Sequence, residues 1–504
     1  MTDATLPAGH RLRQRLETAL LTPVRAFRLR YLPLLMVYFA YGALGLITIA
    51  ESFWIKSSLT LTPSELAALS VWLTLPWTIK MVFGELVDAV PVFGSQRRAY
   101  VVIGGALVAL GLLTLAGAAG GWLAFAPAAD LYRLGSFLSV VGVVLQDVAA
   151  DAMSTEVVDR ENPDGTPRNP EDVNRDLGMV QVLGRLALSL GLVVVAGLGG
   201  WLASLFSYEA VFLCGLAIPL ISVSGALLIE IKSSETRPVD WRILGGGLAF
   251  GAAVMAMAVT GVPYAQEIVF VVSMVVVSAM LRRVVGDLDR QTQRTIFYAA
   301  IIIFAFRATP LVGQGYTWFT IDVLGFDESF QGTLNQIGAL LALVGTWIFS
   351  DSITGRPIPV VLFWLTLIAT VLSLPSLALT LGISEWTETA FGFGARTIAI
   401  IDTAASSPFL QLSMIPLLTL CAIYAPEQRR ATWFALMGSL MNLALVAAAL
   451  QTKYLNQIFI IDRGAYDNLP LLLGVVMAIG LVVPLAAILL FGNKLKGAEI
   501  ARDR

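Results

Sequence analysis

The chain has 504 residues, of which 57% are hydrophobic and 13% are charged, against about 25% charged in ordinary soluble proteins. Its 33 Lys and Arg residues do not exceed its 35 Asp and Glu residues, which excludes a nucleic-acid-binding protein. Two cysteines, Cys214 and Cys421, exclude a disulfide scaffold, and a single histidine, His10, excludes a histidine-centred catalytic triad. The composition predicts an all-α polytopic membrane protein with no metal site and no cofactor.

Apolar stretches of about 20 residues, the length that crosses a bilayer core, follow one another along the chain. The predicted spans lie near 31–55, 64–90, 98–120, 131–158, 176–203, 208–231, 241–261, 266–285, 295–321, 328–350, 358–380, 390–424, 428–451 and 470–491. This pattern predicts fourteen spans; the alternative is twelve, with a hairpin at 241–285 that is interfacial or re-entrant. The stretch 390–424 contains Pro408 and Pro416, so a kinked helix is expected there.

Lys and Arg are distributed asymmetrically between alternate loops. Most of the 33 basic residues fall on the side of the termini, which is the cytoplasmic side in membrane proteins. This predicts an integral protein of the cytoplasmic (inner) membrane with both termini in the cytoplasm. Residues 1–30 are too basic for a signal peptide and are predicted to form an amphipathic helix on the membrane surface.

An internal repeat relates the two ends of the sequence. The matching pairs, in the same order, are Asp88 with Asp351, Asp147 with Asp402, Arg175 with Arg429, and Gly184 with Gly438. Such parallel repeats are common in transporters. The predicted organisation is an N-terminal tail (1–30), a six-helix bundle (31–231), a linker (232–294) containing an inserted hairpin (241–285), a second six-helix bundle (295–491) and a C-terminal tail (492–504).

Charged residues inside predicted spans are costly, so each requires a partner, water or a function. Asp147 and Asp151 are four residues apart and share one helix face. Repulsion between two carboxylates favours protonation of one of them, which is the chemistry that a proton-coupled carrier needs. Lys80 lies at a similar depth, so the three groups are expected to meet. Either the Lys80 salt bridge is a fixed tie between helices, or it breaks or exchanges during transport.

Arg307 lies near the middle of its predicted span, three residues before Pro310, which disrupts the helix locally. The residues that follow within about two turns are Gln314, Tyr316 and Trp318. A guanidinium beside aromatic and amide groups suits an anionic ligand with a ring, because it pairs with a carboxylate in a fork. The alternative is a structural ion pair between Arg307 and Asp402.

Two further charges lie within predicted spans. Arg185 is predicted to be buried in the fifth span, where it either pairs with Asp147 or Asp151 or contacts substrate. Glu51 lies near the outer end of the first span and is either a second proton-coupling group or a solvated interfacial residue.

Asp88, Arg97 and Arg98 lie at the predicted cytoplasmic junction of the second and third spans. One interpretation is a gating cluster that latches helix ends when the inner side is closed. The other is a basic loop that only sets the orientation of the chain.

Four segments resemble those of the folate–biopterin transporter family, which belongs to the major facilitator superfamily. They are Pro76 to Lys80 with Gly84, Asp88, Pro91, Gly94, Arg97, Arg98 and Tyr100; Gln146 to Ala152; Ala308 to Pro310 with Leu324 to Phe326 and Gly332; and Met414 to Leu418 with Ala425, Pro426, Ala431, Thr432, Phe434 to Leu436 and Asn442. The similarity is discontinuous and runs from about 30 to 490.

This resemblance implies two six-helix halves related by a pseudo-twofold axis, and proton-coupled uptake of folates or pterins by alternating access. The carboxylates of such a substrate would bind Arg307, Arg185 or Lys80, and the ring N–H groups would donate to Asp147 or Asp151. The expected partners are a small anionic substrate, protons and membrane lipids, with the chain acting as a monomer. The alternatives are a permease for another solute, such as a muropeptide, and, more remotely, a membrane enzyme or assembly factor.

Overall fold

The computed structural model describes residues 25–92, 94–95, 97–162, 164–228, 239–286, 288–354, 357–410, 417 and 430–502. Within these ranges the chain forms helices joined by short loops, with three isolated β-bridges as the extended pairing. Most of the predicted N-terminal amphipathic helix, together with Pro416, Cys421 and Arg429, lies outside the described residues.

The first half contains six helical spans, three of which are divided into two helices. These helices are α1 (Leu32–Ala43), α2 (Thr48–Ser58), α3 (Pro63–Thr78), α4 (Lys80–Ala89), α5 (Arg98–Gly120), α6 (Ala128–Glu156), α7 (Pro170–Leu205), α8 (Tyr208–Cys214) and α9 (Ala217–Leu228). Thr62 and Glu65 form a capping box that begins α3. Pro76 lies in the last turn of α3, and the chain bends at Ile79 before α4 begins at Lys80.

The rest of the chain contains a hairpin and the second half. The hairpin helices are α10 (Trp241–Thr260) and α11 (Ala265–Val285). The helices of the second half are α12 (Arg290–Arg307), α13 (Gln314–Asp322), α14 (Glu328–Thr354), α15 (Ile358–Leu372), α16 (Leu374–Thr380), α17 (Ile383–Phe391), α18 (Ala395–Leu410), α19 (Arg430–Phe459) and α20 (Leu469–Arg502).

Ten helical stretches among the described residues are long and apolar enough to cross a membrane, and they include α10 and α11. The total of fourteen or twelve spans stays a prediction. Two predicted boundaries differ from the structure. The span predicted at 295–321 is interrupted between α12 and α13, and the stretch predicted to begin at 390 starts with the separate helix α17, followed by α18. Gly392, in the left-handed conformation, ends α17.

The hairpin packs against both halves, and its assignment as an insertion between them stays a prediction. Val277 and Val285 of α11 lie in the hydrophobic core of the second half. At the seam between the halves, Val269 of α11 packs in one cluster with Val71 of α3 and Val446 of α19. Helix α11 therefore packs against helices of both halves.

Two helix pairs join the halves, since α3 packs along α19 and α7 packs along α14. At the second pair the backbones touch, because a Cβ atom on Gly200 would lie 2.4 Å from the carbonyl oxygen of Glu328 and 2.5 Å from Cα of Gly332. This contact lies at the end of the bundle that carries loops 59–62, 323–327 and 460–468, called here the closed end.

Candidate functional site

The first half brings three charged residues together at the bend between α3 and α4. The ammonium of Lys80, the first residue of α4, pairs with Asp147 of α6 and lies 2.6 Å from Oδ2 of Asp151, one turn further along the same helix. The hydroxyl of Tyr38 on α1 donates to Oδ1 of Asp151 at 2.7 Å. The structure therefore joins the three residues that the sequence places at one depth, and it adds a tyrosine.

The two carboxylates of this cluster differ in exposure. The Asp147 side chain is 11% exposed, whereas that of Asp151 is 50% exposed. One ammonium neutralises only one of two ionised carboxylates, and the remaining charge is costly where water is scarce. The arrangement therefore favours the addition of a proton or of a second cation, and Asp151 is the more accessible of the two acids.

Arg185 of α7 supplies a second positive charge near the cluster. It interacts electrostatically with Asp147 and with Tyr38. None of the salt bridges between described residues includes it. The prediction that Arg185 is buried is wrong, because its side chain is exposed. At this level Gly184 faces the ring of Tyr38, with a Cβ atom there 2.9 Å from the ring, so the next residue points away from the packed side of α7.

An aromatic recess adjoins the cluster. It is lined by Val37, Tyr38, Ala40, Tyr41, Leu44, Val108, Val143, Gln146, Asp147, Ile218 and Pro219. Gln146 is held rigidly, because its amide donates to the carbonyl of Val101 at 2.8 Å and to the hydroxyl of Ser222 at 2.9 Å. The sequence analysis did not single out Tyr38 and Tyr41, whose spacing of three residues on a helix puts them on one face.

In the second half the helix that carries Arg307 ends at that residue. Its guanidinium is half-buried, with Nε 3.4 Å from the carbonyl of Met441. Beyond it the chain leaves the helix, and side chains of α19 satisfy the backbone. The N–H of Leu311 donates to the hydroxyl of Thr452 at 2.9 Å, and the amide of Asn456 donates to the carbonyl of Val312 at 3.0 Å.

The alternative of an Arg307–Asp402 ion pair is not what the structure shows. Asp402 of α18 accepts a hydrogen bond from Ser376 at 3.1 Å, and its other oxygen is buried without a partner among the described residues. Tyr316 of α13 lies beside Ser376 and Asp402. Tyr316 and Asp402 therefore form a polar group separate from Arg307. Gln314 is half-buried and is the first residue of α13.

The sequence predicts Trp318 at a substrate site beside Arg307, but the structure places it elsewhere. It is fully buried, and the guanidinium of Arg463 stacks over its ring at 4.1 Å. Because the chain is interrupted before α13, this helix is carried to the closed end, where Trp318 packs in one cluster with Trp54 and Leu59 of the first half.

Arg463 also belongs to a set of polar contacts that joins the halves at this end. Five residues of this set, Lys56, Trp318, Asp322, Arg463 and Tyr466, are called here the closed-end latch. Arg463 donates to the carbonyls of Ile55 at 2.9 Å, Lys56 at 2.8 Å, Leu59 at 2.6 Å and Leu61 at 3.0 Å. Lys56 pairs with Asp322, to which the Tyr466 hydroxyl also donates. The pKa of the Tyr466 hydroxyl is raised, mainly by burial and secondly by this hydrogen bond.

The predicted gating residues separate into two groups. Arg97 is buried and lies 2.7 Å from both Asp88 and Glu156, and it donates to the carbonyl of Val87 at 2.9 Å. Arg98 is exposed, since consecutive residues at the start of a helix point about 100° apart. The charge cluster joins α4, α5 and α6, which all belong to the first half.

Glu51 lies in the first turn of α2 and is half-buried. The hydroxyl of Tyr132 on α6 is hydrogen-bonded to its carboxylate. The interpretation of a simply solvated interfacial residue therefore does not hold, and its described contacts do not reach Lys80.

Solved structures with the same architecture come from the POT family of transporters. One, in complex with 5-aminolevulinic acid, has a TM-score of 0.63 at 14% identity and covers 92% of this chain and 96% of its own. Another, from work on proton dependent oligopeptide transporters, has a TM-score of 0.60 at 14% identity. It covers 95% of this chain and 100% of its own. The predicted fold class, an all-α membrane protein of the major facilitator type, is confirmed.

Relatives of similar length are named as transporters. The "Folate-biopterin transporter" of Synechocystis sp. (strain ATCC 27184 / PCC 6803 / Kazusa) is 28% identical over 88% of this chain and 77% of its own length. "Probable folate-biopterin transporter 4" of Arabidopsis thaliana is 23% identical over 86% and 89%. "Folate transporter 1" of Plasmodium falciparum (isolate 3D7) is 20% identical over 88% and 75%. The prediction of an integral membrane transporter rather than an enzyme is confirmed by these relatives, and because the BT1 family model matches residues 42–500, the chain belongs to the BT1 family.

Proposed function

We propose that this protein carries folate- or pterin-type organic anions across the membrane by alternating access, in symport with protons. The observation that carries the proposal is the Lys80–Asp147–Asp151 cluster, in which one ammonium faces two carboxylates inside a helical bundle. The names of the relatives support the substrate class.

Charge balance links the proton to the substrate. While both aspartates are ionised, Lys80 is engaged by them and a substrate carboxylate meets a net negative cluster. A proton on one of the two aspartates neutralises that acid, and the ammonium then accepts the substrate carboxylate in its place. Loss of the proton restores the contact between Lys80 and that aspartate and expels the anion, so the two ligands bind and leave together.

The remaining polar groups divide the substrate between them. Exposed Arg185 and half-buried Arg307 supply guanidinium forks for further carboxylates, one from each half. Asp147 accepts from the N–H groups of the ring. Tyr316 and Asp402 line the second half of the path, and Glu51 is a second titrating group within the first half.

Alternating access requires the closed end to open. We place both termini in the cytoplasm of a cell with the protein in its inner membrane, so that the closed end faces outward and the substrate leaves inward. The protein acts as a monomer surrounded by lipid, because each half has its own core and the seam lies within one chain.

Arg463→Gln is expected to shift the protein toward the outward-open state. Four carbonyl hydrogen bonds and the stack on Trp318 are lost, and since water replaces part of them, the equilibrium changes roughly tenfold. The readout is the rate at which a membrane-impermeant maleimide labels Ser64→Cys in a cysteine-free background, since Ser64 is half-buried and its hydroxyl donates to the carbonyl of Lys453 across the seam. Arg396→Gln is the matched control, because Arg396 pairs with Asp327 inside the second half. Equal labelling of the two variants contradicts the latch.

Asp151→Asn is expected to remove gradient-driven accumulation and to keep exchange, because the uncharged amide cannot carry the proton. Purified protein in proteoliposomes is assayed for uptake of radiolabelled folate with and without an inward proton gradient, and for counterflow. Asp130→Asn, an exposed position on the same helix, is the control. Full uphill uptake by Asp151→Asn would remove this residue from coupling, whereas no folate uptake by the wild type sends the search to other pterins and muropeptides.

A further inference from the structure

One residue of the aromatic recess, Tyr41, belongs to a stacked ring pair that the charge mechanism does not use. Tyr41 of α1 and Trp77 of α3 have ring centroids 5.7 Å apart and planes inclined by 22°. Tyr41 is 36% exposed although it lies within the first span. Trp77 therefore supports one face of the tyrosine ring, and part of that ring stays accessible.

Several charges surround this exposed ring. Tyr41 interacts electrostatically with Asp147, Lys80 and Arg185. It also lines the same recess as Asp147. One turn earlier on the same helix face, Tyr38 binds Asp151. An accessible aromatic surface and a carboxylate thus border one space, and two cations interact electrostatically with that aromatic ring.

Other aromatic pairs among the described residues lack this combination. Trp386 with Phe391 and Phe363 with Trp364 are edge-to-face, with planes at 83° and 89°. Tyr298 stacks on Phe491 at 19°, but Lys494 lies 4.7 Å from the centre of the Tyr298 ring. Tyr316 stacks on Phe319 at 30°, but its phenol is hydrogen-bonded to Ser376 and lies beside the acid Asp402. The Tyr41–Trp77 pair is therefore distinguished by its surroundings, which combine an acid with two cations.

We propose that the exposed surface of Tyr41, supported by Trp77, is the stacking surface for the fused ring of a heteroaromatic anion. The inference rests on the proposed function and adds the group that selects a flat bicyclic ring. Offset stacking of aromatic rings contributes beyond the area it buries, and N–H groups at the ring edge then face Asp147. The carboxylate tail extends toward Lys80 and Arg185, so ring and tail are recognised by different residues.

Binding on this surface has a direct connection to the seam between the halves. The backbone carbonyl of Trp77 accepts a hydrogen bond from the amide of Asn442 on α19 at 3.0 Å, and the next carbonyl, of Thr78, accepts from Ser439 at 3.1 Å. A ring that stacks on Tyr41 therefore packs against the turn of α3 whose backbone is hydrogen-bonded to the second half.

The test compares the two fragments of folate as competitors of radiolabelled folate uptake. Pterin-6-carboxylate carries the fused ring, and p-aminobenzoylglutamate carries the two tail carboxylates. For Tyr41→Leu we expect about a tenfold weaker inhibition by the pterin fragment, with inhibition by the tail fragment changed less than about twofold. Tyr41→Phe, which keeps the ring and lacks the hydroxyl, is expected to resemble the wild type.

Tyr298→Leu removes a stacked ring far from the cluster and is the matched control, with both inhibition constants expected to stay at wild-type values. Equal weakening of both fragments in Tyr41→Leu, no weakening of either, or a loss in Tyr41→Phe as large as that in Tyr41→Leu overturns the stacking surface. These outcomes leave folate transport by the wild type intact. Absence of folate transport by the wild type, in contrast, overturns the proposed function and the stacking surface together.

Discussion

Lys80→Met is expected to reduce folate uptake by at least about 100-fold, since removing one partner of a buried ion pair costs roughly 3–5 kcal/mol. The methionine keeps the length of the side chain and removes its charge. Asp147 and Asp151 then face each other without the ammonium that pairs with both, so both binding of a substrate carboxylate and the exchange of the proton are lost. Initial uptake rates in proteoliposomes at equal protein content measure the effect.

Two further variants separate charge balance from function. Lys80→Met combined with Asp147→Asn restores the charge balance, so we expect thermal stability to recover while uptake stays low. Lys453→Met is the matched control, because Lys453 is also a partly buried lysine that pairs with a carboxylate, Glu267 of the hairpin. Wild-type uptake by Lys80→Met alone would assign Lys80 a purely structural role.

Gly200→Val is expected to prevent closure of the closed end and to reduce uptake by at least tenfold. A side chain at this position meets the backbone of α14, with a Cβ atom 2.4 Å from the carbonyl oxygen of Glu328. Overpacking of this kind costs roughly 1–3 kcal/mol. The cost disappears when α7 and α14 separate, so the outward-open state gains by that amount. Uptake rates and maleimide labelling of Ser64→Cys report the change.

Gly178→Val is the control for this substitution. Gly178 lies on the same helix, nearer the opposite end, and a Cβ atom there meets nothing within 4 Å. The two variants therefore add the same side chain to α7 and differ in their neighbours. A similar loss of uptake in both would show that the effect comes from the helix itself and not from the contact between halves.

The charged cluster of the first half was predictable because it depends on local geometry. A helix rises 1.5 Å per residue, so the depth of Lys80 and the spacing of Asp147 and Asp151 follow directly from residue numbers. The second half was harder to predict. Trp318 was expected near Arg307, but the interruption after Arg307 displaces α13. Side chains of α19, more than 130 residues away in sequence, stabilise this interruption by hydrogen bonds to its backbone.

Other differences have the same origin in tertiary packing. Arg97 and Arg98 look equivalent in the sequence, yet only Arg97 is turned toward Asp88 and Glu156. The contribution of α11 to the core of the second half depends on how the hairpin folds back, which apolar periodicity does not encode. Tyr41 carries no charge or motif that marks it in the sequence, and only its stack on Trp77 reveals its environment.

The interruption between α12 and α13 also constrains which substitutions the chain tolerates. Backbone groups that leave a helix inside a bilayer have no water to bind, so Leu311 and its neighbours depend on Thr452 and Asn456. A chain that keeps Pro310 must keep hydrogen-bonding side chains on α19, and one that loses Pro310 is released from both requirements. We therefore expect substitutions at positions 310, 452 and 456 to depend on one another, although Pro310 lies in the interruption and Thr452 and Asn456 lie on α19.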